Sequence, residues 1–242
     1  MKTDLDLREK GGPRGGERQT SDQRLFMQLL AFRGCTATGM LVMALDHAGI
    51  EGVLYEDLND PTGVALLTWH HEPEFFATTF RKLLGQPAFA DLVLRPEYTM
   101  FGRTYSLGHE PDLTDWLLDR PRRVATDATA QWGVFYPLRR TGAFAALAEA
   151  EQVTILREHG ALGHAFGEAG YAQDLRLACF GLDRNDNDFV IGLLGPALHP
   201  LSACIQAMRK TRQTSSYIAQ MGPFFVGHAV WRKLVKAQWL EE

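Results

Sequence analysis

A histidine followed by a glycine, His159-Gly160, stands toward the end of an amphipathic stretch running from Glu149 to Phe166. A neutral imidazole can serve as the single axial ligand of a haem iron. A glycine beside it lets a flat ligand or another backbone come close. The alternative is a helix-borne histidine with a structural role; His164 is a second histidine nearby. Tyr136 lies in QWGVFYPL (131–138), directly before Pro137, which limits onward strand pairing. Its phenol is either a half-buried sheet aromatic or a redox-active, hydrogen-bonding group facing a pocket. Asp174 and Arg176 alternate with Leu175 and Leu177, so in a strand they share one face with Ala178. Such a pair either stabilises a sheet surface or forms the polar part of a pocket. AMRKTRQTSSY (207–217) offers Arg209, Lys210 and Arg212. These could bind carboxylates, arginine in bidentate fashion, or simply complement a helix C-terminus. Arg120, Arg122 and Arg123 form another basic cluster. The sequence has no Gly-rich phosphate loop, HExxH, CxxC or nucleophile elbow.

These residues need elements to hold them. RLFMQLLAF (24–32) reads as a buried strand, Thr38 to Gly49 as a helix, and GVLYEDL (52–58) and GVALLTW (63–69) as a hairpin around Asn59–Gly63. His71 to Leu84 reads as one helix, and LVLRPEYTMFG (92–102) as a strand made irregular by Pro96. The order is β-α-β-β-α-β, the ferredoxin-like unit. It recurs as strand 131–138, helix 149–166, strands 174–182 and 189–195, helix 199–210 and strand 223–231. Two four-stranded sheets can close edge to edge into one barrel, which removes exposed edges. The expected organisation is a mobile polar arm (1–22), a first half (23–110), a connector (111–129) and a second half (130–242). The C-terminal WRKLVKAQWLEE reads as a short amphipathic tail.

Composition bounds the class. The chain has 242 residues, 25 Lys+Arg against 29 Asp+Glu, and a net charge of −4, with 45% hydrophobic residues. That suits a globular α+β protein and argues against one held mainly by nucleic acid or an anionic membrane. No apolar run reaches the roughly 18 residues of a membrane span. The polar N-terminus lacks an apolar signal core, and Cys35, Cys179 and Cys204 fit neither a disulfide framework nor a metal spacing. A cytoplasmic location is the expectation.

In order and spacing, Trp132-x-x-x-Tyr136-Pro137-Leu138, REHGALG (157–163), ACFGLD (178–183) with FVIGL, AMR…TSSY and PFFVG (223–227) resemble the chlorite dismutase family, which includes the coproheme decarboxylases. The resemblance is strongest over about 130–230. It implies a dimeric-type α+β barrel within one chain, assembled as a ring of subunits, commonly a pentamer, with haem in the second half. His159 would be the proximal iron ligand. Tyr136 would match the tyrosine that becomes a radical and abstracts hydrogen from a propionate. Arg140 stands where decarboxylases carry a lysine beside that propionate. Arg209 and Thr214 match propionate-holding residues, and one of Arg120, Arg122 and Arg123 corresponds to another. The sequence departs from the family at Asp174, where chlorite dismutases carry an arginine; Arg176, one pleat on, could compensate. It departs again at Leu194, aligned with the carboxylate behind the proximal histidine, and in GAFAAL. The departures disfavour chlorite dismutation. The implied function is a haem-dependent, hydrogen-peroxide-using oxidoreductase, foremost a coproheme decarboxylase making haem b from iron coproporphyrin III. The rivals are a chlorite dismutase-like peroxidase and a non-catalytic haem-binding or storage protein.

Overall fold

The glycine-rich segment ahead of the first apolar run folds as a hairpin and not as a mobile arm: β1 (Glu9–Arg14) pairs antiparallel with β2 (Glu17–Ser21). Gly15 and Gly16, at φ of 63° and 91°, make a tight turn that only glycine-like residues accept cheaply. Gln19 fastens the hairpin to the connector. Its Nε2 shares two hydrogens among the carbonyls of Gly12, Glu110 and Pro111 at 3.0–3.1 Å, and its Oε1 accepts from the Leu113 amide at 3.1 Å. The structure, a computed structural model, describes residues 5–235. The distal part of the expected C-terminal tail lies outside those residues.

The first half continues with β3 (Phe26–Arg33), α1 (Thr38–Ala48), β4 (Gly52–Asp57) and β5 (Val64–His70). The expected helix over 71–84 is two short ones, α2 (Glu74–Ala77) and α3 (Thr79–Leu84), separated at Thr78. The Thr78 hydroxyl donates to the Glu74 carbonyl at 2.8 Å, a local bond that competes with a regular helix. The expected strand over 92–102 is likewise β6 (Val93–Leu94) and β7 (Met100–Arg103), with a turn at Pro96–Tyr98 between them. The connector is helical: a π-turn over Asp115–Asp119 leads into α4 (Arg120–Thr126). Pro121 sits directly after the π segment, in a helical run that continues unbroken from Leu113 to Thr126.

The second half comprises β8 (Trp132–Arg140), α5 (Gly142–Ala145), α6 (Glu149–Glu168), β9 (Gln173–Ala178), β10 (Phe189–Gly195), α7 (Leu198–Met208), α8 (Arg212–Tyr217), β11 (Ile218–Met221) and β12 (Phe225–Lys233). The pairings β8–β10–β9–β7–β3–β5–β4–β12–β8 close a barrel from two ferredoxin-like halves. One seam between the halves runs along β4 and β12, from Asp57 opposite Gly227 to Gly52 opposite Lys233. The other, between β7 and β9, has the single register pair Arg103 opposite Ala178.

Strand alternation sorts residues into three apolar layers. Met27, Leu29, Tyr55, Phe135, Leu175, Leu177, Leu194 and Phe225 fill the barrel interior. Glycines make room for its rings: a Cβ on Gly192 would lie 2.6 Å from the Phe135 ring. Outside, α1 and α3 cover the first sheet through Leu41, Leu45, Phe80 and Leu83. On the second sheet, Val134, Tyr136, Leu138, Phe189 and Leu193 meet Leu162 and Phe166 of α6 and Leu201, Cys204 and Met208 of α7.

Candidate functional site

The outer face of the second sheet carries the chemistry. Across β8, β10 and β9 the register sets Tyr136 opposite Ile191, and Ile191 opposite Arg176. With strands about 4.8 Å apart, Tyr136 and Arg176 stand roughly 10 Å apart on one face. The flanking rows are Val134, Leu193 and Asp174 on one side and Leu138, Phe189 and Ala178 on the other. The expected sharing of a face by Asp174, Arg176 and Ala178 holds, with Leu175, Leu177 and Cys179 turned into the barrel.

Helix α6 lies against this face through Leu162 and Phe166, and its Ile155 is buried. Val153 and Leu156, apolar residues three or four steps apart leading to His159, are nevertheless exposed at 40% and 37%. The inward stripe is thus shifted round the helix to include Ile155, His159 and Leu162. His159 is half-buried, and its Nδ1 is 3.0 Å from the Thr211 hydroxyl. Among the described residues no hydrogen bond engages its Nε2. Burial pushes the imidazole down to about 4, helped by the fields of Arg176 and Arg140 and opposed by Glu158 and Asp174. His159 is therefore neutral at ordinary pH. His164 differs: it is exposed and pairs with Glu168 on the outer side of α6.

Three arginines surround the polar end of the face. Asp174 accepts from Arg120 at 2.8 Å and lies 2.5 Å from Arg176 Nε. Burial works to raise the Asp174 carboxyl, but the two guanidiniums outweigh it and hold it below its usual value. Arg120 and Arg176 also lie over the Trp116 ring, at 4.8 and 5.2 Å. Arg140 has no ion-pair partner among the described residues, and its Nε is buried without a hydrogen bond. It packs over Phe144 and Phe189, each at 4.7 Å, and burial draws its pKa down. The Asp188 carboxylate is nearby, accepting from the Arg140 backbone amide at 2.7 Å, but it makes no direct ion pair with the guanidinium, which leaves this half-buried cation ready to bind a ligand carboxylate.

Tyr136 is buried and stacks on Phe224 at 4.7 Å, and the Arg209 guanidinium lies 5.9 Å from that same Phe224 ring. Burial pushes the phenol well above its ordinary pKa. Thr214 is 3.4 Å from the Thr211 hydroxyl, which ties it to the His159 side. Thus His159, Tyr136, Arg140, Asp174, Arg176, Arg120, Arg209 and Thr214 belong to one region. Arg123 does not: it is exposed and paired with Asp115 at 2.9 Å. Arg122 is also elsewhere, buried against Glu51. Leu194 is not behind His159; as an inward-facing β10 residue, 1% exposed, it packs in the barrel. Thr211 occupies the place behind the imidazole. Sequence reading passed over Thr211, Trp116 and Phe224; the strand signal of PFFVG hid the last.

The donor set, a neutral imidazole and several arginines beside an apolar sheet face, suits the chemistry of a flat, carboxylate-bearing ligand. Comparison with known proteins places the chain in context. The family model described as chlorite dismutase matches residues 66–230. A search of curated proteins finds no match. Solved structures with a similar fold include a haem-binding protein from Thermus thermophilus, with 18% identity, 86% of this chain and 92% of that chain covered, and a TM-score of 0.67. A variant chlorite dismutase from Candidatus Nitrospira defluvii in complex with cyanide has 12% identity, coverage of 87% and 92%, and a TM-score of 0.66. The chlorite dismutase of that organism with imidazole has 11% identity, coverage of 87% and 92%, and a TM-score of 0.65. At these identities the likeness is one of fold.

Proposed function

The chlorite dismutase family includes this chain, its family model spanning most of the length; from that premise we propose that the protein is a haem-binding, hydrogen-peroxide-dependent oxidoreductase that converts iron coproporphyrin III to haem b. The observation that carries the reading is His159, a neutral imidazole with Nε2 free of described hydrogen bonds, in the field of a half-buried guanidinium without a direct ion pair among the described residues, Arg140. That donor set fits an iron porphyrin bearing propionates: one nitrogen for the metal, arginines for the carboxylates and apolar rows for the ring. A bound iron porphyrin supplies the one-electron oxidising chemistry when peroxide is present.

The chain's own residues supply the rest. His159 offers Nε2 as the iron ligand. Arg140 and Arg209 bind propionates, with Thr214 as a hydroxyl donor and Arg120 at the rim. Tyr136 holds its proton on Oη, because burial makes the phenolate costly; as a neutral phenol it would give a hydrogen atom's worth of electron and proton to the peroxide-oxidised porphyrin and regain it from a propionate. Stacking on Phe224 keeps the ring in place for hydrogen abstraction from a propionate. Asp174, bound by Arg120 and Arg176, keeps the distal charge largely neutralised and favours the decarboxylase reading over chlorite dismutation. The proposed assembly is a ring, foremost a pentamer. The proposed compartment is the cytoplasm; no described helix is long and apolar enough to cross a membrane.

The test is titration of the purified protein with iron coproporphyrin III and with haem b, then hydrogen peroxide and mass analysis of the porphyrin. The expected result is tight coproheme binding, lost in His159→Ala, and stepwise loss of two carbon dioxide masses. Tyr136→Phe should bind coproheme and fail to decarboxylate it. Binding without mass loss would instead favour a peroxidase or a haem-storage protein, and absence of binding would overturn the reading.

A further inference from the structure

A threonine hydroxyl has one hydrogen to donate. The Thr211 hydroxyl lies 2.8 Å from the Met208 carbonyl oxygen, which can only accept, so its hydrogen is committed there. The 3.0 Å contact between Thr211 Oγ1 and His159 Nδ1 must then be donated by the imidazole. Thr214 Oγ1, at 3.4 Å, is a second and much longer acceptor for the same hydrogen, so the 2.8 Å contact with the Met208 carbonyl holds it. Nδ1 therefore carries the proton of the neutral ring, and the lone pair is left on Nε2.

The position of Thr211 supports a dedicated use. It precedes α8, where a threonine hydroxyl commonly accepts from amides of the first helical turn. No such side-chain cap is made. Thr211 is 5% exposed, and its contact with His159 spans 52 positions of sequence. The hydroxyl has been turned from capping its own helix toward the histidine of another.

Resting on the haem reading above, we propose that Thr211 is a positioning residue that fixes the ring orientation and Nδ1–H tautomer of His159 and sets the donor strength of the iron ligand through a neutral hydroxyl. A carboxylate at this place would draw the Nδ1 proton more strongly and make the imidazole more anionic. A hydroxyl gives a weaker push, which suits an iron less electron-rich than one backed by a carboxylate.

The test has two readouts. In the haem-free protein with 15N-labelled histidines, nuclear magnetic resonance reports the His159 tautomer. The wild type should show Nδ1–H; Thr211→Val should lose that preference and Thr211→Ser should restore it. A wild-type Nε2–H tautomer overturns the inference and needs no variant to be folded. In haem-loaded protein, Thr211→Val should raise the iron reduction potential and lower the iron–histidine stretching frequency, with both returning toward wild type in Thr211→Ser. A folded Thr211→Val that leaves tautomer, potential and stretch unchanged also overturns it, since a purely structural threonine would behave so. If the wild type binds no porphyrin, the functional reading fails while the tautomer measurement still decides the role of Thr211.

Discussion

Asp174 and Arg140 stand on the same side of the second sheet in opposite conditions. The carboxylate is held by two arginines, whereas the Arg140 guanidinium packs between aromatic rings with no ion pair among the described residues. An arriving propionate therefore gains most at Arg140. A charge-assisted hydrogen bond is worth roughly 1.5–3 kcal/mol, so Arg140→Gln should weaken coproheme binding by about tenfold or more. Titration against both porphyrins checks this: haem b, which lacks the two propionates that are lost, should be affected less. His159 makes a pH prediction. Its folded pKa, about 4, lies below the ordinary 6.5. The unfolded chain thus binds the proton more readily. The contribution of a neutral His159 to stability is present above pH 6.5 and is lost as pH falls toward 4. Urea melts of the haem-free protein across that window should show a slope that flattens in His159→Phe. Sequence made His159, Tyr136 and the Asp174–Arg176 pair legible, because short segments with strand or helix periodicity carry them. Thr211 was not legible, since the destination of a hydroxyl depends on a partner 52 positions away. Leu194 was misassigned for a related reason: alignment fixes a place along a strand, whereas pleating decides the face.

Elements that are regular in pattern were readable, and elements decided by one side chain were not. β3, β5 and β10 follow from near-continuous apolar runs that are largely buried on both faces. The break at Thr78, where the backbone leaves helical φ/ψ, and the helix formed by a proline-bearing connector carry no periodic signal that marks them in the sequence. The hairpin of β1 and β2 is the clearest case. Its composition reads as disorder, yet Gln19 supplies side-chain hydrogen bonds that join it to backbone groups of the connector. Gln19→Ala should cost about 1–3 kcal/mol, seen as a lower midpoint in thermal or urea unfolding. Unchanged stability would mean that water replaces the amide without loss. Where β7 meets β9, a Cβ on Gly102 would lie 2.7 Å from Cys179 Sγ and 2.8 Å from the Ala178 carbonyl oxygen. Gly102→Ala should destabilise by about 1–3 kcal/mol through overpacking, measured in the same melts.

At the scale of the whole molecule, the barrel joins two sheets by unequal seams. Along β4 and β12 the pairing extends from Gly52 to Asp57; between β7 and β9 it is reduced to Arg103 and Ala178. Such a closed sheet behaves as a book with a firm spine and a loosely held fore-edge. Local opening that breaks few hydrogen bonds is the cheapest fluctuation. Backbone amides of 100–104 and 173–179 should accordingly take up deuterium sooner than those of 52–57 and 225–233, as exchange followed by mass spectrometry would show. The fore-edge strand, β9, is also the one that carries Asp174 and Arg176. A ligand gripping Arg176 would act as a clasp on that edge, and slower uptake over 173–179 on porphyrin addition would be its signature.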